Sequence, residues 1–138
     1  LGIKGGLKVK WRESDCIKCG ICVKVCRSNA VSIDDGKISV DERKCNYCGR
    51  CMKSCPTDAW DSERGFIVSF GGLFGNQIAK GEPVIPFITD HDALLRICDA
   101  AIQFFDDNAL SSERFKFTID RVGREKFVRA IQKAYNNE

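Results

Sequence analysis

Eight of the nine cysteines in this 138-residue chain fall into two copies of one spacing. The first copy is Cys16, Cys19, Cys22 and Cys26; the second is Cys45, Cys48, Cys51 and Cys55, followed by Pro56. Each reads Cys-x2-Cys-x2-Cys-x3-Cys. A zinc ribbon would use paired Cys-x2-Cys knuckles, four ligands per ion, and has no need of a third and fourth cysteine in each run. A disulfide framework would need an oxidising compartment, and no signal peptide is visible. A cubane 4Fe–4S cluster has four iron corners, each taking one thiolate, so two runs of four cysteines suit two such clusters.

The spacing resembles that of bacterial ferredoxins that carry two 4Fe–4S clusters. In that family three cysteines of a run reach three corners of one cube, and the fourth points away and ligates the other. The resemblance implies Cys16, Cys19, Cys22 and Cys55 for one cluster, and Cys45, Cys48, Cys51 and Cys26 for the other. One position departs from the pattern. Arg27 follows Cys26, where the second copy has Pro56. This should loosen one turn and place a cation near a cluster without removing a ligand. Gly20 and Gly49 lie between cysteines, where small residues and backbone amides suit close approach to sulfur. Tyr47 is placed to shield its cluster from water, and Trp60 to pack under the cluster domain. Lys18, Lys24 and Arg27 either dock an acidic electron donor or moderate the negative charge of the loaded protein.

Charge and composition bound the remaining possibilities. The formal charge of +3 counts the cysteines as neutral. With the positive charge of two oxidised cores and the larger negative charge of eight thiolates, it becomes about −1. That removes any case for nucleic-acid binding. At 43% hydrophobic and 30% charged residues the chain reads as globular, and no apolar run approaches the ~20 residues a membrane span needs. Clusters and free thiols together lead us to expect a reducing cytoplasm.

The chain reads as three parts: a strand-bearing segment 1–12, a cluster domain 13–64 and an α/β segment 65–138. In the first, Leu7, Val9 and Trp11 alternate with Lys8, Lys10 and Arg12, the period of a strand. In the second, Val31–Ile33 and Lys37–Val40 flank Asp35-Gly36, a strong hairpin signal. The two cysteine runs form an internal repeat, each leading into a short helix and strand. In the third, we expect strands at Phe66–Phe70, Val84–Ile88 and Phe115–Ile119. A helix capped by Thr89 or Asp90 should run to about Asp106, burying Leu94, Cys98, Ala101, Ile102 and Phe105. Asp120 should cap a last helix with Phe127, Val128, Ile131 and Ala134 inward.

The flanks of the cluster domain resemble the C-terminal portion of sulfite and nitrite reductase subunits. The resemblance lies in Gly71-Gly72, Gly75, Gly81, Glu113-Arg114-Phe115 and Asp120-Arg121-Val122-Gly123, with the opening LGIKGG. In dissimilatory and anaerobic members a ferredoxin domain is inserted within the reductase domain. The resemblance therefore implies an α+β chain: a two-cluster ferredoxin domain inserted in a partial sulfite reductase-like α/β domain. Residues 7–11 should then pair with 66–70, bringing the insertion's ends together. Reductases of this family couple siroheme to a further cluster held by Cys-x5-Cys and Cys-x3-Cys, and this chain has no such set; Cys98 alone is left over. It thus looks like a C-terminal fragment or truncated homologue, not catalytic alone and not expected to bind siroheme.

The expected function is electron transfer through two 4Fe–4S clusters to a siroheme centre for sulfite or nitrite that is absent from this chain. The expected partners are a redox protein and the siroheme-bearing part. The alternatives are a stand-alone carrier whose α/β domain binds a partner, and a non-redox protein with structural or oxygen-sensing clusters. Elsewhere the plain readings prevail. Cys98 is a buried small hydrophobe, and His91 a surface residue of a helix's first turn. Gly71-Gly72-x-x-Gly75 is a turn rather than an anion site. Arg114, Arg121 and Arg124 lie on a solvated face or form helix-end ion pairs rather than a grip on a siroheme carboxylate or sulfite.

Overall fold

A computed structural model describes residues 1–138. Two compact units emerge: Gly6–Gly65, and a second composed of Leu1–Gly5 with Phe66–Glu138. The strand β1 (Gly2–Trp11) runs through the boundary at Gly5–Gly6, and the strand β4 (Trp60–Phe70) through that at Gly65–Phe66.

The first unit is built on the cysteine repeat. Short helices α1 (Ile21–Val25) and α2 (Arg50–Ser54) each carry the third cysteine of a run, Cys22 and Cys51. Strands β2 (Val31–Asp34) and β3 (Lys37–Val40) form the expected hairpin, with Val31 opposite Val40 and Asp34 opposite Lys37. Asp35 and Gly36 both hold positive φ, 49° and 74°, as a two-residue turn between right-twisted strands requires. The unit's core is small: Cys22, Val31, Ile38, Cys51 and Trp60 are buried, with Val9 and Trp11 packed against them.

The second unit has a larger core. Helix α3 (His91–Asn108) packs with α4 (Phe115–Val122) and α5 (Arg124–Asn136). Phe127 has no exposed surface and meets Phe70, Phe104 and Phe115 edge-on at 5.0, 5.1 and 5.5 Å. Asp90 caps α3 as expected, its carboxylate accepting the Asp92 N–H. Arg96 of α3 donates to the carbonyls of Ala134 and Tyr135 at 2.8 and 3.1 Å, supplying partners for acceptors that the end of α5 leaves free.

Strand β1 lies beside β4, with β5 (Glu82–Pro83) on the other side of β4. The neighbours are those expected of an insertion, but the register is shifted. The Arg12 N–H donates to the Ala59 carbonyl at 2.7 Å, so residues 7–11 run along the first half of β4 rather than along 66–70.

Four local expectations are corrected. Phe115–Ile119 is not a strand but the start of α4. Its apolar residues fit either period, and the buried pair Thr118 and Ile119 with half-buried Phe115 follows the helical one, leaving Phe117 42% exposed. Asp120 therefore sits inside α4, and α5 begins after Gly123, whose φ of 117° makes the turn. Val84–Ile88 is not a strand either: only Glu82–Pro83 pairs with β4, and Phe66 and Ile88 form an isolated bridge. Pro83 and Pro86 lack the N–H groups a continuous ladder uses. On α3 the core face is Ala93, Leu94, Ile97 and Ala101, whereas Ile102 is 60% exposed.

Candidate metal centre

The cysteine loops are shaped by paired left-handed residues. Lys18 and Gly20 in the first run have φ of 60° and 76°; Tyr47 and Gly49 in the second have 59° and 72°. These reversals turn backbone N–H groups inward, as in an anion-binding nest. The Lys18 N–H donates to Cys16 Sγ at 3.3 Å and the Tyr47 N–H to Cys45 Sγ at 3.4 Å. The pattern repeats around the fourth cysteines. The N–H of Ala30 reaches Cys26 Sγ, and that of Ala59 reaches Cys55 Sγ, both at 3.3 Å. The hydroxyls of Ser28 and Thr57 lie 3.5 and 3.7 Å from the same two sulfurs. Asn29 and Asp58, also at positive φ, make the turn in each case.

Two small cavities open inside this unit. Cys16, Cys19, Cys22 and Cys55 line the first, among Trp11, Ile38 and Trp60. Cys26, Cys45, Cys48 and Cys51 line the second, among Leu7, Val9 and Val31. Each cavity thus draws three cysteines from one run and the fourth from the other. The thiols ring the walls: no three His, Cys, Asp or Glu side chains converge on a single-ion position.

The apolar face of β1 closes both cavities. Leu7 and Val9 line the second and Trp11 the first. The Leu7 N–H bonds the Tyr47 carbonyl at 2.9 Å. Arg12 holds the strand's end, its guanidinium reaching Asp15 at 3.0 Å and also the Asp61 carboxylate and the Asp58 carbonyl. The alternation was readable as a strand; its use as a lid was not, because nothing in a period-two pattern says what the apolar face covers.

Burial pushes the Cys51 thiol up to about 11, and the Cys22 and Cys45 thiols rise for the same reason. Burial acts upward on Cys26 too, but the Ser28 hydroxyl and the Ala30 N–H outweigh it and bring this thiol down to about 7. On Cys55 burial is likewise overcome, by the N–H groups of Ala59 and Thr57. Donors aimed at sulfur favour the thiolate, the form that binds iron. The sequence carries the signal for this as Cys26-x-Ser28 and Cys55-x-Thr57, hydroxyls at equivalent positions of the repeat. A donor set of four thiols per cavity, met by inward N–H groups, fits a 4Fe–4S cluster in each.

Residues 15–59 match the 4Fe-4S dicluster domain family. This dicluster segment carries all eight repeated cysteines. No curated protein is a match. A crystal structure of dissimilatory sulfite reductase I is similar in fold, with a TM-score of 0.57 at 17% identity, over 94% of this chain and 37% of that one. The chain therefore spans little more than a third of the protein it resembles. Beyond the dicluster segment the architecture is mixed helix and sheet, and no helix is long and apolar enough to cross a membrane.

The other candidate residues do not gather into a second centre. Gly75 and Arg114 line one surface hollow with Phe74 and Phe117; Gly71 and Arg124 line another with Lys80 and Lys116. Arg121 is bound to Glu113 and the Asn108 carbonyl, and Arg124 pairs with Glu82 at 2.9 Å. His91 is exposed and meets Phe66 edge-on at 5.4 Å. Cys98 is half-buried against the core, where burial raises its thiol. Lys18, Lys24 and Arg27 are exposed, and Tyr47 is buried.

Proposed function

We propose that this chain relays single electrons through two 4Fe–4S clusters, one held by Cys16, Cys19, Cys22 and Cys55 and the other by Cys26, Cys45, Cys48 and Cys51. The observation that carries the reading is the composition of the two cavities, each ringed by thiols from both runs. When bound, such a cluster supplies one-electron chemistry between 2+ and 1+ core states. The chain's own residues do the rest. The inward N–H groups of Lys18, Ala30, Tyr47 and Ala59 stabilise negative charge on sulfur, and Leu7, Val9, Trp11 and Trp60 keep water from the cavities. No side chain needs to act as acid, base or nucleophile.

In this proposal an outside one-electron donor protein supplies the electrons. They pass on to a siroheme centre that reduces sulfite or nitrite and lies outside these residues, in a cytoplasmic reductase assembly. The fold likeness to dissimilatory sulfite reductase I supports this destination. The cluster domain, placed at 13–64, would then be the insertion, with residues 1–12 and 65–138 as reductase-like flanks.

The test is anaerobic purification with iron and sulfide counting, followed by electron paramagnetic resonance of the reduced protein. Two interacting reduced clusters are expected, and protein without them would end the proposal. Cys55→Ala should damage the cluster otherwise held by Cys16, Cys19 and Cys22. Loss of the other cluster alone would overturn the ligand assignment.

A further inference from the structure

Trp11 is set apart from the other residues that line the cavities. Its indole Nε1–H is buried and no protein atom accepts its proton. Buried donors in folded proteins are almost always paired, because an orphan costs its lost hydration. Trp11 lines the cavity of Cys16, Cys19, Cys22 and Cys55, whose other walls are chiefly apolar: Ile17, Ile21, Ile38, Ala59 and Trp60. Apart from the Thr57 hydroxyl, which lies 3.7 Å from Cys55 Sγ, the side-chain acceptors such a site offers are sulfurs. From the same strand, the second cavity receives only Leu7 and Val9, which carry no side-chain donor. Of its polar residues, Asn46 and Arg50 are exposed, where water screens them, and Ser28 has its counterpart in Thr57 of the first cavity.

We propose that the Trp11 indole N–H donates a hydrogen bond to a sulfur of the cluster held by Cys16, Cys19, Cys22 and Cys55, and so raises that cluster's reduction potential. The inference rests on the relay reading above. Adding one electron to a 2+ core gives the 1+ core and increases negative charge on sulfur. A donor fixed at that sulfur stabilises the reduced state more than the oxidised one. The chain thereby treats its two otherwise repeated sites unequally. Each motif supplies equivalent backbone donors, and β1, which lies outside the repeat, adds a side-chain donor to one site alone.

The experiment compares the full chain with Trp11→Phe, which keeps an aromatic ring and removes the N–H. Both are purified without oxygen and titrated with dithionite under voltammetric or paramagnetic detection, and the couple lost in Cys55→Ala identifies the cluster concerned. The reduced-to-oxidised ratio of that cluster at fixed potential should fall about tenfold, or about 59 mV for a one-electron couple; the other couple should stay in place. Full cluster content with neither couple moved, or both moved equally, overturns the role of Trp11. Wild-type protein that takes up no clusters overturns the relay reading itself, and this inference with it. Should Trp11→Phe fail to fold, wild-type protein carrying ¹⁵N-tryptophan gives a second readout. Electron–nuclear double resonance of the reduced protein should show one strongly coupled indole that persists in Trp60→Phe, and its absence rejects the bond.

Discussion

Gly20 and Gly49 occupy equivalent positions in the repeat, with φ of 76° and 72°, yet their surroundings differ. A Cβ added at Gly20 meets nothing within 4 Å, whereas one at Gly49 comes within 2.6 Å of Leu7 Cδ1. Gly20→Ala should therefore cost only the left-handed backbone, roughly 1–2 kcal/mol. Gly49→Ala should cost more, because the Leu7 side chain has to shift as well. Denaturant unfolding of the two loaded variants checks the order, and equal losses would show that Leu7 is free to move. The cysteines announced themselves because a ligand set needs particular atoms at particular spacings. The orphan nitrogen of Trp11 and the close approach of Leu7 depend on three-dimensional neighbours distant in sequence, so no local pattern encodes them.

Helix α4 is organised around one carboxylate. Glu113 accepts from Thr118 Oγ1 at 2.6 Å, from Arg121 Nε at 3.0 Å and from the Leu110 N–H at 3.3 Å. The Arg121 guanidinium, with the Thr118 hydroxyl, pulls the Glu113 carboxyl down to about 2. A carboxyl lowered in the folded state contributes stability above its unfolded value, and that contribution fades as pH falls through the folded one. Glu113→Gln should weaken α4 at pH 6, and the gap from wild type should narrow steadily below about pH 4.3. Amide hydrogen exchange across Phe115–Val122 at both ends of that range reports it; a gap independent of pH would mean the charge is idle. Here sequence reading reached its limit for a definable reason. Helix α3 has a capping aspartate and many turns, so its period was clear; Leu94 and Ala101 are buried as expected, while Ala93 and Ile97 complete the core face in place of Ile102. In the eight-residue α4, apolar residues at 115, 117 and 119 satisfy a strand as well as a helix, and Glu113, which decides the matter, lies outside the element.

At the scale of the molecule, the two units rest on different resources. The second is held by a phenylalanine cluster around Phe127 and by Ile88, Ile97 and Ile131, all at most 1% exposed. In the first, two of the five buried core residues are cysteines of the cavities. For such a unit, the free energy of metal binding is largely the free energy of folding. Removing iron with a chelator under reducing conditions should therefore unfold Gly6–Gly65 while α3 and α5 keep their protected amides. Simultaneous loss of protection throughout would show the two units to be one cooperative whole. The dicluster segment was readable from its cysteines, but the allegiance of residues 6–11 was not: a strand's sequence does not declare which neighbour it will close over. That strand also imposes an order of events on biosynthesis. Its lid residues Leu7, Val9 and Trp11 leave the ribosome before any cysteine, but β4, against which it lies, follows Cys55. The pairing of β1 with β4 can therefore be completed only after the last of the eight ligand thiols has been made, a window in which iron delivery can precede it.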